Sequence, residues 1–143
     1  MTIISNSPEQ TKKIAADIAS DLTGGEVITL KGDLGSGKTT FTQGLAEALG
    51  VTQKVNSPTF LISKSYLVND PRIKFIHHID LYRLQESGDF KNLGIEEMFL
   101  EKDAITIIEW PERMGNLFPK KRIAIEFEYV DETKRKIIIN HYE

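Results

Sequence analysis

The stretch Gly32-Asp33-Leu34-Gly35-Ser36-Gly37-Lys38-Thr39 decides the fold of this chain. It matches, without deviation, the spacing of a phosphate-binding loop: a glycine, four residues, then glycine, lysine and serine or threonine. The apolar residues 26–31 before it have the pattern of a buried strand. Residues 39–49 after it have the pattern of a helix that stops at Gly50. A strand, a glycine-rich loop and a helix in this order indicate an α/β protein with a phosphate site.

Each residue type in this loop has a physical role in binding phosphate. Gly32, Gly35 and Gly37 let the backbone curl so that successive amide groups point inward at an anion. The helix that follows adds N–H groups without partners and the positive end of its dipole. We therefore expect the loop to bind ATP, with the Lys38 ammonium on the β- and γ-phosphates. The predicted nucleotide-binding residues here are Asp33, Gly35, Ser36, Gly37, Lys38, Thr39 and Thr40. The alternative is a glycine turn that only joins a strand to a helix.

Hydrolysis of a bound nucleotide would need acidic groups near the loop. Asp80 closes the apolar run that begins at Phe75, and Glu109 closes the run that begins at Ile105. Ligands of open α/β sheets lie beyond the carboxyl ends of the strands, so both carboxylates could reach the phosphates. One would hold Mg²⁺ together with the Thr39 hydroxyl and the other would orient the attacking water, and the spacing does not divide these roles. Alternatively, each acid is only the first solvated residue after a strand.

Two neighbouring histidines precede the first of these acids. His78 and Asp80 share one face of a strand, which raises the possibility of a zinc site. Such a site needs further ligands, and His141 is the only other histidine after His77 and His78. We therefore predict that the strand histidine instead forms a hydrogen bond that supports Asp80.

Three further features allow two interpretations each. Pro58 holds the residue before it in extended backbone and so places Thr59, which could sense the γ-phosphate as a switch loop does; the alternative is an ordinary connection between helix and strand. Trp110 either packs in the core or lies at a partner surface or beside the nucleotide. The basic clusters 120–122 and 134–136 are either solvated faces or patches that face RNA or protein. No arginine stands out as an arginine finger.

The remaining pattern predicts an α/β fold with a mixed sheet. Residues 2–5 form a short strand candidate, and a helix starts at Ser7-Pro8 and ends at Gly24. Two predicted hairpins follow: residues 60–68 pair with 73–79, and residues 122–130 pair with 134–142. A buried strand is also expected over residues 104–108, where apolar residues run together.

Length and composition limit the function classes. The 143 residues, of which 40% are hydrophobic, suit one domain over residues 1–143. A net charge of −3 argues against a surface that grips DNA or RNA by charge alone. The absence of cysteine excludes disulfides and thiolate zinc sites. No apolar run has the length of a secretion signal or a membrane span, so we expect a cytoplasmic protein.

Several motifs in order resemble the bacterial TsaE family, and the resemblance covers nearly the whole chain. They are Gly-Asp-Leu-Gly-Ser-Gly-Lys-Thr-Thr-Phe at 32–41, Ser-Pro-Thr-Phe at 57–60, His-Ile-Asp-Leu-Tyr-Arg-Leu at 78–84, Gly-Ile-Glu-Glu at 94–97 and Ile-Glu-Trp-Pro-Glu at 108–112. The resemblance implies a single-domain P-loop NTPase that hydrolyses ATP for threonylcarbamoyladenosine modification of tRNA. It also implies two partner proteins, TsaB and TsaD, through which the tRNA would be reached.

The resemblance also implies roles for particular residues. Thr39 and Glu109 would be Mg²⁺ ligands, and Asp80 would be the Walker B-like acid. Thr59 would be a switch residue, and Thr11 on the first helix would lie near the nucleotide base. The resemblance assigns no role after Pro119.

Two other functions fit the loop itself. A small-molecule kinase would need an acceptor pocket and an arginine-bearing lid, for which the chain has little room. An interaction module that binds ATP with little turnover needs neither. ATP is favoured over GTP because the sequence has no Asn-Lys-x-Asp segment to read guanine.

Overall fold

A mixed seven-stranded sheet organises the residues that the computed structural model describes, which are 1–56, 63–82, 94–114 and 119–143. In chain order its strands are β1 (Thr2–Ser5), β2 (Val27–Lys31), β3 (Ser63–Leu67), β4 (Phe75–Asp80), β5 (Ala104–Glu109), β6 (Arg122–Tyr129) and β7 (Arg135–Tyr142). Across the sheet the order is β1-β7-β6-β2-β5-β4-β3. The four central strands β6, β2, β5 and β4 are parallel, and their carboxyl ends meet at one edge.

The two predicted hairpins and the edge strand β1 supply the antiparallel pairings. β3 pairs with β4, and β7 pairs with both β6 and β1. The prediction of an α/β fold with a mixed sheet and two hairpins is therefore confirmed. Strand bounds differ slightly from expectation, because the strands run on to the acids Asp80 and Glu109, and Ile73 is buried just before β4 begins.

Helices cover both faces of the sheet. Helix α1 (Pro8–Ser20) begins where expected, with the Ser7 side chain accepting a hydrogen bond from the amide of Gln10 and a proline in the first turn. Helix α2 (Lys38–Ala48) follows the glycine-rich loop directly. A short helix, α3 (Ile95–Met98), and a 3₁₀ helix (Pro111–Met114) were not predicted from the sequence.

The strand residues are apolar on both sides, and this divides the core in two. Ile107 packs into the larger cluster, together with Ile14 of α1 and Phe41 of α2. The next residue, Ile108, packs into a second cluster with Ile95 of α3 and others on the opposite face. Successive strand side chains point to opposite faces, so a strand buried on both sides reads as a continuous apolar run. This architecture leaves the carboxyl edge of the central strands as the place where polar side chains converge.

Helices α1 and α2 lie against each other at a glycine. A β-carbon on Gly44 would lie 2.6 Å from Cα of Lys12 and 2.9 Å from its carbonyl oxygen. Only the absence of a side chain at position 44 permits this approach of the two backbones.

Within the described residues, no helix is both long and apolar enough to cross a membrane.

Candidate nucleotide site

A cleft of about 320 Å³ lies at the carboxyl edge of the central strands, around the glycine-rich loop. It is lined by residues of the loop, of the ends of strands β4 and β5, of the start of α1 and of the β6–β7 hairpin. Those predicted from the sequence are Thr11, Gly35, Gly37, Lys38, Thr39, Thr40, Asp80 and Glu109. Its size is at the lower end of the range for small-molecule pockets. The structure thus brings together most of the predicted site residues, although they come from distant parts of the chain.

The loop turns sharply into α2 as its glycines predict. Gly37 is the residue before the first helical turn and has φ of +108°, which an L side chain rarely adopts. Phe41 donates its amide to the Gly37 carbonyl at 2.9 Å, which is a hydrogen bond of the first helical turn. The Ser36 hydroxyl is buried and has no hydrogen-bond partner among the described residues. Such donors at a helix start form an anion-binding arrangement.

Lys38 lies at the centre of the cleft. Its ammonium donates to the Gly32 carbonyl at 2.6 Å and lies 4.0 Å from the centre of the Trp110 ring. Burial lowers the pKa of Lys38, and the charges of Glu109 and Asp80 act in the opposite direction. A buried ammonium flanked by two carboxylates gives the site charges that can bind a charged ligand. Because these groups are shielded from solvent, their interactions with that ligand are stronger than they would be in water.

The two acids end neighbouring parallel strands and lie directly opposite each other in the register. Asp80 is half-buried, and its carboxylate accepts a hydrogen bond of 3.0 Å from the amide of Tyr82. Burial raises the pKa of Asp80, the Tyr82 hydrogen bond lowers it, and the nearby charge of Glu109 raises it further. Glu109 is only 3% exposed. It is therefore not simply the first solvated residue after a strand.

The strand histidine His78 supports a different acid from the one predicted. Its Nε2 lies 2.5 Å from Oε2 of Glu109, and both side chains are buried. We predicted that it would support Asp80, and this was wrong, because His78 reaches diagonally to the adjacent strand β5. Nδ1 of His78 is buried without a hydrogen-bond partner among the described residues. A proton is therefore better placed on Nε2, from which it is donated to Glu109.

His77 points to the other face of β4 and takes no part in the cleft. One of its nitrogens bonds Ser65 at 2.7 Å, and the other bonds Glu101 at 2.6 Å. Across the described ranges, no group of three or more His, Asp or Glu side chains is arranged to hold a metal ion. The zinc alternative therefore has no support in the described residues.

The donor set of the cleft does fit Mg²⁺. The carboxylates of Asp80 and Glu109 and the hydroxyl of Thr39 all line it. Magnesium in nucleotide sites typically takes one or two carboxylates and completes its shell with phosphate oxygens and water. Two carboxylates and a hydroxyl beside a phosphate-binding loop match that requirement.

Trp110 lies in the cleft beside Lys38. Its φ is +60°, which is uncommon for a residue with a side chain. The indole ring also contacts Tyr82, with ring centres 5.0 Å apart. Trp110 also packs, partly buried, against the second core cluster. Core packing and a place beside the phosphate loop therefore both hold for this residue.

The tip of the β6–β7 hairpin forms a wall of the cleft that sequence reasoning missed. Glu132, Thr133 and Arg135 line it, together with Ser7 and Pro8 at the start of α1. The basic cluster 134–136 was interpreted as a solvated face or an RNA- or protein-facing patch. Arg135 instead donates to the carbonyl of Gly35 at 3.2 Å, across 100 residues of sequence. A contact between residues so far apart in the sequence cannot be predicted from the residues around either one.

Three predicted residues are placed differently or not described. Asp33 is exposed and does not line the cleft, although its carbonyl accepts the Ser36 amide at 3.1 Å. Ser36 is buried beneath the loop and does not line the cleft either. Thr59 lies outside the described residues. Its predicted switch role therefore stays a prediction.

The strand, loop and helix around Lys38, together with acids at the ends of two parallel strands, define a nucleotide-binding protein of the P-loop class. The chain belongs to the family described as "Threonylcarbamoyl adenosine biosynthesis protein TsaE", whose sequence model matches residues 5–137. This confirms the resemblance found in the sequence.

Individual relatives agree. A protein of Bacillus subtilis named tRNA threonylcarbamoyladenosine biosynthesis protein TsaE is 40% identical over 141 residues, covering 96% of this chain and 85% of the relative. A protein of the same name from Aquifex aeolicus is 39% identical over 139 residues, covering 96% of this chain and 93% of the relative. The crystal structure of the Bacillus subtilis protein YdiB superposes with a TM-score of 0.79 at 31% identity, covering 100% of this chain and 86% of that one.

Proposed function

We propose that residues 1–143 form one ATPase domain that acts in the cytoplasm, in threonylcarbamoyladenosine modification of tRNA, together with TsaB and TsaD. Family membership supports the pathway. The observation that carries the ATPase activity is that Lys38 of the loop lines one cleft with the two carboxylates that end neighbouring strands. This arrangement combines a phosphate cradle, a cation for the phosphates and acids for a metal and a water molecule.

The loop would position the triphosphate. Amides of residues 35–39 and the start of α2 would surround the β-phosphate, and the Thr40 hydroxyl would donate to the α-phosphate. Lys38 would exchange its hydrogen bond to the Gly32 carbonyl for the β- and γ-phosphate oxygens. Phosphoryl transfer needs positioning and charge stabilisation more than covalent catalysis by the protein, and these groups provide both.

Thr39, Asp80 and Glu109 are the residues that would hold Mg²⁺ and its water shell. When bound, Mg²⁺ neutralises charge on the β- and γ-phosphates. His78 would keep the Glu109 carboxylate fixed by the hydrogen bond from Nε2. Of the two acids, one would bind the metal and the other would orient the attacking water, and Thr59, the predicted switch residue, would sense the γ-phosphate or the metal.

Turnover of the isolated chain should be weak. Among the described residues, Arg135 is the arginine that lines the cleft, and it lies across β2 from the two acids. Partners would then complete the site, as arginine fingers supplied in trans do in other hydrolases. A chain of net charge −3 can act on tRNA if a partner holds the RNA.

The test is reconstitution with purified TsaB and TsaD, with products analysed. Inorganic phosphate as product marks an ATPase, a phosphorylated metabolite marks a kinase, and neither marks a binding module. We expect Lys38→Ala and Thr39→Ala to lower phosphate release by at least tenfold, because each removes a group that faces the phosphates or the metal. Lys13→Ala, an exposed lysine on α1 outside the cleft, is the matched control. Equal rates in all four proteins would refute the assignment.

The same assay would show whether the two acids are needed for repeated turnover of tRNA modification. Asp80→Ala and Glu109→Ala should stop multiple-turnover tRNA modification while leaving the first turnover intact if ATP hydrolysis resets the complex. An unaffected time course would remove both acids from the mechanism.

A further inference from the structure

A second, larger cavity lies at the amino ends of the central strands, at the edge of the sheet away from the phosphate loop. Its volume is about 1240 Å³, and the residues that line it include Val27 and Arg122, which begin β2 and β6. Among the described residues, none lines both this cavity and the nucleotide cleft. This amino-edge groove is therefore a separate feature, which the proposed function does not use.

The groove is lined mainly by apolar side chains from both faces of the sheet. Ile14, Ile18 and Leu22 follow helical spacing on α1, and they belong to the larger core cluster or pack against it. Phe99 packs against the second core cluster and also lines the groove. Its neighbour Leu100 lines the groove too and is 80% exposed. Apolar side chains that are grouped at a surface in this way mark a site of interaction.

The charged side chains among these apolar residues are mainly acidic. Within the described ranges, one lysine and one arginine line the groove, against five acids: Asp17, Asp21, Glu26, Glu96 and Glu143. Glu26 already accepts hydrogen bonds from the amides of Thr23 and Gly24. Asp17, Asp21 and Glu96 are exposed, and none of the three forms an ion pair with another described residue. The groove therefore presents acids that are available to a cationic ligand.

Two of these acids oppose the dipole of their own helix. Asp17 lies in the last turn of α1, Asp21 is the C-cap, and the last turn contains no basic residue. Because the carboxyl end of a helix carries partial negative charge, acids at this end destabilise the helix. A cation bound beside Asp17 and Asp21 would offset this repulsion.

We propose that the amino-edge groove binds a cationic amphipathic helix of a partner protein. The apolar face of that helix enters the groove, and its lysine and arginine side chains pair with Asp17, Asp21 and Glu96. Helices bind in apolar grooves through side chains at positions i, i+3, i+4 and i+7. The proposal goes beyond the ATPase assignment and does not depend on it, because it uses no residue of the nucleotide cleft.

Volume and charge favour this occupant over others. The groove exceeds the usual range of small-molecule pockets, about 300–1,000 Å³, which favours a peptide segment over a small ligand. RNA and anionic lipid are disfavoured, because their phosphates would be repelled by the acids. A helix with basic residues beside its apolar face satisfies both the apolar and the acidic parts of the lining.

The experiment is fluorescence anisotropy with two labelled synthetic helices of about 18 residues, or five turns. Both have leucine at i, i+3, i+4 and i+7; the other positions alternate alanine with lysine in one peptide and alanine with glutamate in the second. We expect the Kd for the lysine peptide to be at least tenfold lower than that for the glutamate peptide. Leu100→Ser should raise the Kd for the lysine peptide about tenfold, because it removes one buried leucine contact.

The double variant Asp17→Asn/Asp21→Asn tests the charges. It should raise the Kd for the lysine peptide about three- to tenfold, as for the loss of two exposed ion pairs. Its melting temperature should not fall, because the acids it removes oppose the helix dipole. The matched control Glu9→Gln/Glu126→Gln also removes two exposed acids, neither of which lines the groove, and should change the Kd less than twofold.

Each outcome supports or overturns the proposal. No saturable binding of the lysine peptide, or equal Kd values for the two peptides, overturns it. An unchanged Kd in both Leu100→Ser and the Asp17/Asp21 variant overturns it as well, since the peptide then binds elsewhere. Saturable binding of tRNA or of anionic lipid vesicles that Leu100→Ser weakens would show a different occupant and would also overturn it. Expected peptide binding without phosphate release by the reconstituted complex would refute the proposed function alone.

Discussion

At the scale of single residues, we expect the hydrogen-bonded pair His78 and Glu109 to contribute most to the stability of the site. Both side chains are almost fully buried, and a buried carboxylate that loses its partner is left without solvation. Within the part of the chain that the structure describes, Nδ1 of His78 has no hydrogen-bond partner, and Nε2 bonds Glu109. The hydrogen bond from the histidine therefore offsets part of the desolvation free energy of Glu109. It also fixes the orientation of the Glu109 carboxylate.

We expect His78→Leu to lower the free energy of unfolding by about 2–4 kcal/mol, because it removes the hydrogen-bond donor that contacts the buried Glu109 carboxylate. His78→Gln, whose side-chain nitrogen can stand where Nε2 does, should recover at least half of that loss. Urea denaturation measures both. His141→Leu, at an exposed histidine on β7, should change stability by no more than about 0.5 kcal/mol. Equal losses in the leucine and glutamine variants would contradict the hydrogen bond as the cause.

At the scale of elements, the contact between α1 and α2 positions the loop. Helix α2 begins at Lys38, so any displacement of this helix moves the phosphate-facing residues with it. The two helices approach so closely at Gly44 that backbone atoms of Lys12 occupy the space of a β-carbon. Packing at this point, and not helix propensity, explains a glycine in the middle of a helix.

Gly44→Ala should therefore destabilise the protein by about 1–3 kcal/mol, although alanine alone favours a helix by about 1 kcal/mol over glycine. Ala48→Gly, at the exposed last residue of the same helix, changes a helical residue without touching this packing and should cost no more than about 0.5 kcal/mol. Chemical denaturation gives both values. A more stable Gly44→Ala variant would show that the helices can separate at no cost.

Much of the element scale was predictable from local pattern. The capping serine and the proline predicted the start of α1. Short apolar runs between helical segments predicted the strands. The short helix α3 was missed, because its one turn has too few residues for a periodic pattern. The acids Asp80 and Glu109 were predicted to close their apolar runs, and both are the last residues of their strands.

At the scale of the whole molecule, the candidate site joins residues from the first helix to the last hairpin. A ligand bound there contacts α1, the loop, two strand ends and the β6–β7 turn at once. Its binding energy should then stabilise the fold as a unit and not one segment of it.

Mg²⁺ and ATP at about 100 times the Kd should stabilise the folded state by about 2.7 kcal/mol, which corresponds to a rise of roughly 5–10 °C in the melting temperature. Thermal unfolding followed by circular dichroism measures it. The transition should stay single, and Lys38→Ala should remove most of the shift while the control Lys13→Ala keeps it. Two separate transitions, with only one of them shifted, would contradict stabilisation of a single unit.

The amino-acid sequence by itself determined the phosphate loop, its flanking strand and helix, and the presence of two acids at strand ends. These depend on residue types at short spacing, and the backbone conformation that each type permits is a local property. Only the tertiary structure decided that β5 and β6 flank β2. Sheet order then brought His78 to Glu109 across 31 residues and Arg135 to Gly35 across 100 residues. Contacts of that separation arise from strand pairing and core packing, which no window of neighbouring residues records.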